Sequence, residues 1–171
     1  MKKILLLAIA VTSILAILGY WGFGKLGGNT PIEIQLIENK PENLAGITYR
    51  GTPGNKELGE VFQKMEAHKG LNPGSHLHTI YEVEPAGKHD TLIVFVGINK
   101  NLPLAELEFR SYDNENYLLA KIKSNKWVMP NPETVKEKLK NYAKENKLVL
   151  TGVYIDKIID DNEVQVIAPI K

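Results

Sequence analysis

Three histidines in the middle of the chain have the residue type of metal ligands. His76 and His78 alternate within a strand-like stretch, so both imidazoles project from one face, and His89 follows the next turn. Two imidazoles at positions i and i+2 can share a metal ion, but a structural or catalytic site needs at least a third ligand. The simpler interpretation is two exposed polar residues near a strand start. We therefore expect no metal ion and no other cofactor.

Catalysis by a side-chain nucleophile requires a base beside that nucleophile. The sequence contains no G-x-S-x-G, no H-E-x-x-H, no phosphate-binding glycine loop and no dinucleotide fingerprint. Tyr81 and Glu82 cannot act as a pair, because neighbours on a strand face opposite sides. We therefore predict no catalytic residue and favour a binding domain, with an enzyme as the alternative.

The aromatic residues are the best candidates for recognition of a ligand. Those that fall on predicted strands or near a helix start are Tyr49, Tyr81, Tyr117, Trp127 and Tyr154. An apolar pocket with a few hydroxyl groups is a common design for small-molecule sites. The alternative is that these residues belong to the core or to the surface of a strand.

The composition excludes several classes of function. The 171 residues are 43% hydrophobic and 24% charged, which is typical of a globular protein. Without cysteine, disulfides, zinc–thiolate sites and a lipoprotein anchor are excluded. Three of the 21 basic residues (Lys2, Lys3 and Lys25) flank an apolar run, which leaves 21 − 3 = 18 basic against 20 acidic residues. Nucleic-acid binding needs a clustered positive surface, so we expect no nucleic-acid partner.

An apolar run begins at Ile4 and ends at Phe23, with Thr12 and Ser13 as its clearly polar side chains. As a helix it would be about 30 Å long, which matches the hydrocarbon core of a bilayer. A cleaved signal peptide is the alternative, but the run exceeds the usual apolar region of about 7–15 residues and no A-x-A-like site follows. The sequence therefore predicts an uncleaved transmembrane signal anchor.

This anchor also sets the predicted location and domain boundaries. Two lysines precede the run and one follows it, which favours a cytoplasmic N-terminus. We expect a single-pass protein of the cell membrane, with its C-terminal domain on the extracytoplasmic side. The predicted division is an anchor at residues 1–25, a linker at 26–31 and one domain at 32–171.

The domain repeats one order of elements, strand–strand–helix–strand–strand. In the first half, strands are predicted at residues 32–37, 44–49, 77–83 and 91–98, around a helix capped by Asn55 and ended by Gly70. In the second half they are predicted at residues 106–110, 117–123, 149–158 and 164–170, around a helix capped by Asn131 with Pro132 in its first turn. The five lysines of this helix alternate with glutamates and are typical of a solvated face. The pattern predicts an α+β fold with an antiparallel sheet and two helices.

Four stretches of the repeat carry a resemblance to a known family: AGITYRGT at 45–52, IYEVEP at 80–85, GVYID at 152–156 and VIAPIK at 166–171. In order and spacing they resemble the GyrI-like small-molecule-binding domain, the effector-binding module of bacterial AraC- and MerR-type regulators, which has a SOUL-like duplicated fold. The resemblance covers residues 32–171. The helices that bind DNA in those regulators are replaced here by the predicted anchor.

The resemblance implies two halves around an aromatic-lined cavity, in which an acidic residue often meets a lipophilic cation. The family's acidic position, two residues before the second-half tyrosine, is Gly152 here, so Glu82, Glu108 or Gln165 are the alternatives. The implied function is a membrane-anchored domain that binds a small lipophilic or cationic molecule, without a DNA-binding module; a hydrolase acting in the same pocket is the alternative. The implied ligand-binding residues are Tyr49, Tyr81, Glu108, Tyr117, Trp127, Tyr154 and Gln165.

Overall fold

A computed structural model describes residues 2–28, 30–100 and 106–171 of the chain. The elements of the described residues follow one another as α1 (Lys2–Lys25), β1 (Glu33–Ile37), β2 (Leu44–Gly51), α2 (Lys56–Leu71), β3 (Leu77–Val83), β4 (Leu92–Ile98), β5 (Glu108–Arg110), β6 (Tyr117–Lys123), α3 (Pro132–Glu145), β7 (Ile155–Asp160) and β8 (Glu163–Pro169). The predicted α+β class with an antiparallel sheet is confirmed, and after α1 a strand–helix–strand–strand unit occurs twice, each time preceded by one further strand.

The strands form one antiparallel sheet in the order β1-β6-β8-β7-β3-β4-β2-β5. Strands β3 and β7 join the two halves at the centre, where Thr79 lies opposite Asp156. The first strand of each predicted unit is exchanged, because β1 pairs with β6 of the second half and β5 pairs with β2 of the first. Alternation of residues predicts which face a side chain takes, but it does not predict the neighbouring strand.

Helices α2 and α3 cover the same face of the sheet. A cross-strand row runs from Val96 through Thr79, Asp156 and Val166 to Ala120. Residues directly opposite each other in antiparallel strands share a face. Since Val96 belongs to the core under α2 and Ala120 to the core under α3, each helix packs over one half.

The opposite face of the sheet has its own apolar cluster, formed by Leu44, Ile80, Phe95, Leu119, Ile155 and Ile167. The Phe95 ring lies over two glycines of neighbouring strands. A Cβ at Gly46 would lie 2.2 Å from the Val96 carbonyl oxygen and 2.7 Å from the ring, and one at Gly97 would lie 2.7 Å from the ring. Only glycine fits beneath this ring, and the Arg110 guanidinium covers it at 5.0 Å from the ring centroid.

Side-chain caps set the starts of the two sheet-covering helices as predicted. Asn55 accepts a hydrogen bond from the Glu57 amide, and Asn131 accepts one from the Glu133 amide, with Pro132 following directly. Both caps satisfy amides that have no partner within the first helical turn.

The end of α2 differs from the prediction at Gly70. The helix continues to Leu71, and Asn72 caps it by donating from its side chain to the His68 carbonyl at 2.7 Å and from its backbone to the Lys69 carbonyl at 3.1 Å. The available cap therefore decides the end of this helix, and the glycine is accommodated in its last turn.

The strand predicted at 149–158 is also shorter than expected. Leu150 makes a single bridge to Ile170, and Gly152 then takes a φ of +92°. This left-handed conformation is accessible to glycine and turns the chain, so β7 begins only at Ile155.

Helix α1 precedes the sheet and exposes apolar side chains such as Ile9, Leu15 and Trp21. In the part of the chain that the structure describes, no helix is long and apolar enough to cross a membrane. The predicted location in the cell membrane, with an extracytoplasmic domain, is contradicted by this finding.

The predicted boundaries at residues 1–25, 26–31 and 32–171 stay a prediction, and Asn29 of the linker lies outside the described residues. The chain contacts the domain directly after α1, where the Asn125 amide donates to the Leu26 carbonyl at 2.8 Å.

Candidate ligand-binding cleft

A cleft of about 330 Å³ lies on the helix-covered face, where the two halves of the sheet meet. Strands β3 and β7 form its floor, the chain following β3 forms one wall, and the first turns of α3 form another. This volume lies in the range of small-molecule pockets, about 300–1,000 Å³. The lining residues are Tyr81, Glu84, Pro85, Pro132, Lys136, Tyr154 and Asp156.

Asp156 places a carboxylate at the centre of the floor. The pairing of β3 with β7 sets it opposite Thr79, whose hydroxyl donates a hydrogen bond to it. Burial raises the pKa of Asp156 from 3.8 to about 6, and the positive charge of Lys136 and the hydrogen bond from Thr79 oppose this effect only in part. The carboxyl group can therefore gain or lose a proton close to neutral pH.

Lys136 carries the positive charge of the cleft. Its ammonium bonds to Glu84 and lies 3.2 Å from a carboxylate oxygen of Glu133. The same Nζ atom lies 5.7 Å from the centre of the Tyr154 ring, within the range of a cation–π contact. Burial opposes the charged form, but the bonds to the two glutamates outweigh burial and raise the pKa of Lys136 above its ordinary value. The side chain is therefore a charged group held inside the cleft, and 18% of it is exposed.

Two tyrosines provide the aromatic surfaces. Tyr154 precedes β7 and Tyr81 lies on β3, and both side chains line the cleft. Burial raises the pKa of both hydroxyl groups, and the negative charges of Asp156 and Glu84 raise that of Tyr81 further. Both tyrosines are therefore neutral at physiological pH and offer hydroxyl donors beside apolar rings.

Two of the candidate ligand-binding residues, Tyr81 and Tyr154, line this cleft, and the other candidates lie elsewhere. Tyr49 is buried in the core under α2, and its hydroxyl donates to the Thr52 carbonyl at 2.8 Å. Trp127 is 80% exposed in the loop before α3. Neither of these two side chains contributes to the cleft.

The three remaining candidates lie on the opposite face of the sheet. Gln165 and Glu108 belong to the cross-strand row next to that of Asp156, so their side chains point away from the helices. Tyr117 packs beside the apolar cluster of that face. Their roles in binding stay predictions, since nothing places them near the cleft.

Three charged residues of the cleft were missed by the sequence analysis: Glu84, Lys136 and Asp156. For Asp156 a signal was present, because residues two apart on a strand share a face and Tyr154 lies two positions before it. For Lys136 the helix pattern predicts a solvated side chain, and only the approach of Glu84 and Tyr154 buries it. Gly152, which the resemblance aligned with an acidic position, lies before β7, and a Cβ added there would meet open space.

The histidines lie outside the cleft. His78 is 1% exposed, on the face opposite Asp156, which corrects the interpretation as an exposed residue. Its Nδ1 lies 3.0 Å from the His76 carbonyl and its Nε2 lies 4.0 Å from Glu42, and burial lowers its pKa to about 4. Among the described residues, no group of three His, Asp or Glu side chains is arranged to hold a metal ion.

Comparison with known proteins shows similarity of fold without similarity of sequence. No family model and no curated protein matches the chain. Among solved structures, EcmrR in its cryo-EM complex with DNA has a TM-score of 0.57 at 12% identity, over 99% of this chain and 68% of that chain. The EcmrR C-terminal domain has a TM-score of 0.53 at 10% identity, over 82% of this chain and 97% of that chain. A hydrolase from Listeria innocua has a TM-score of 0.58 at 6% identity, over 81% of this chain and 92% of that chain.

At these identities the similarity shows the fold alone. It is consistent with the GyrI-like duplicated fold that the sequence resembles.

Proposed function

We propose that this domain binds a small, largely apolar molecule carrying a positive charge, in the cleft between its two halves. The observation that carries this proposal is the combination of a largely buried carboxylate, Asp156, with the aromatic surfaces of Tyr81 and Tyr154 in one cleft. The fold shared with the EcmrR C-terminal domain supports the interpretation as a binding domain.

The electrostatics of the cleft favour a cation over an anion. Glu84, Glu133 and Asp156 surround it, and among the described residues Lys136 is the one cation that lines it. A buried carboxylate without a full counter-charge is unfavourable, so a cationic ligand gains by neutralising it. The faces of the tyrosine rings add attraction for the same charge. An anion of the same size would meet the carboxylates without such a gain.

The test uses two probes of the same shape and opposite charge, tetraphenylphosphonium and tetraphenylborate. We expect calorimetric titration of the full chain to show binding of the phosphonium in preference to the borate. Tyr154→Ala removes an aromatic surface and should weaken phosphonium binding at least about tenfold. Trp127→Ala removes an exposed aromatic outside the cleft and should leave it unchanged. Equal binding of the two probes, or equal effects of the two substitutions, would refute the proposal.

A hydrolase is the second candidate, and one observation favours it. Asp156 has a pKa of about 6, raised by burial, and lines the same cleft as Tyr81, whose hydroxyl is neutral. A carboxyl group with such a pKa can accept and return a proton near neutral pH, which is the requirement for general acid–base catalysis. The fold shared with a hydrolase from Listeria innocua supports this second candidate.

The two functions differ in whether the bound molecule is turned over. If Asp156 is the base, the rate of hydrolysis should show an inflection near pH 6. The Asp156→Asn variant should then have no turnover. Screening small esters and amides for turnover by the wild-type chain, with this variant as the control, separates the candidates. Turnover that persists in Asp156→Asn would exclude this carboxylate as the base.

A further inference from the structure

Lys136 differs from the other lysines of α3. The side chains of Lys138, Lys140 and Lys144 are exposed, whereas Lys136 is largely buried. Burying a lysine ammonium is costly unless partners compensate the charge. Lys136 meets such partners in Glu84 and Glu133, so its position in the cleft is specified by the structure and is not a consequence of helix amphipathicity.

The partners of this ammonium are those that a cationic ligand would use. It lies over the Tyr154 ring at 5.7 Å from the centroid, bonds to Glu84 and acts electrostatically on Asp156. An aromatic face and carboxylates around one point form a receptor for an organic cation. The receptor is present in this structure, and the protein's own side chain occupies it.

We propose that Lys136 is an internal competitor that holds the cation position of the cleft and must leave it before a cationic ligand binds. This inference rests on the proposed function and names the residue that sets its specificity. The ammonium of Lys136 can move from the cleft into solvent, because Glu133 on the same helix is exposed and can remain its ion-pair partner there. A neutral ligand brings no charge to replace the ammonium beside Glu84 and Asp156, so the exchange favours one cation for another.

The decisive variant is Lys136→Met, which keeps an unbranched apolar stem and removes the charge. It frees the Tyr154 ring and the Glu84 carboxylate, so tetraphenylphosphonium should bind about tenfold or more tightly than to the wild-type chain. Tetraphenylborate should gain no comparable affinity, because the variant makes the cleft more negative. Lys136→Arg retains a cation and should keep the wild-type affinity within a factor of about three.

Lys138→Met is the matched control, since it removes an exposed lysine from the same helix and should leave both affinities unchanged. Thermal unfolding of each variant shows whether it is folded under the conditions of the titration. If Lys136→Met binds the phosphonium no more tightly than the wild-type chain, the competitor role is wrong while the binding function stands. If neither the wild-type chain nor Lys136→Met binds it, the proposed function fails.

A second measurement follows the lysine itself in the wild-type chain. The Tyr154 ring should shift the Cε–Hε signal of Lys136 upfield in a proton–carbon correlation spectrum. Saturation with tetraphenylphosphonium should return this signal to the position of the exposed lysines. A bound phosphonium that leaves the upfield shift in place would show that both cations are accommodated at once, and would overturn the proposal.

Discussion

Asp156→Asn should stabilise the free protein while weakening its binding of cations. Burial raises the pKa of Asp156 from 3.8 to about 6, so the folded chain holds this proton more tightly than the unfolded chain does. Ionisation of the group at neutral pH therefore opposes folding. Each pKa unit corresponds to about 1.4 kcal/mol, so a shift of roughly two units predicts a gain of up to about 3 kcal/mol in the free energy of unfolding at pH 7.5.

The sign of the effect gives a characteristic pH dependence. Below about pH 3 the carboxyl group is protonated in both states, so the variant and the wild-type chain should have similar stabilities. The gain should appear as pH rises from about 4 to about 6 and stay constant above that. The asparagine keeps an oxygen that can accept the hydrogen bond from Thr79, so the comparison isolates the charge.

Urea unfolding at pH 4, 5, 6 and 7.5 measures the effect, with Asp161→Asn in the exposed turn after β7 as the control. The control should change stability by less than about 0.5 kcal/mol at every pH, as is usual for surface substitutions. A loss of stability in Asp156→Asn at pH 7.5, or a gain that does not depend on pH, would refute the reasoning. Titration of the same samples with tetraphenylphosphonium should show weaker binding by the more stable variant.

Three further predictions concern the framework around the cleft. At pH 7 the proton of the His78 ring should reside on Nδ1, because Nδ1 faces the His76 carbonyl at 3.0 Å; long-range proton–nitrogen spectra would contradict this if they placed it on Nε2. Gly46→Ala should destabilise the chain by about 1–3 kcal/mol or more, because the added Cβ overlaps the Val96 carbonyl, whereas Gly54→Ala has open space and should change little. Leu139→Ala should lower the free energy of unfolding by about 2–5 kcal/mol, since this side chain is fully buried under α3, and a smaller loss in urea unfolding would show that the site collapses.

The sequence alone determined the local elements of this fold. Strands β3 and β6 begin and end where the alternation of residues predicts, and α3 begins where Asn131 and Pro132 predict. These features depend on groups a few residues apart, such as a cap oxygen and the amides of the first turn. The duplicated order of elements follows from the same local signals. It was sufficient to predict the fold class and to include Tyr81 and Tyr154 among the candidates.

The tertiary structure alone decided which residues form the cleft. Pairing of β3 with β7 brings Thr79 against Asp156 across more than seventy residues of chain, and no local pattern specifies that partner. The registers of β7 with β8 and of β2 with β5 place Gln165 and Glu108 one position away from the row of Asp156, and a shift of one position along a strand reverses the direction of the side chain. Lys136 becomes a charged group of the cleft only through its contacts with Glu84 and Tyr154. The energy of a buried charge depends on its neighbours in space, which the helix pattern does not specify.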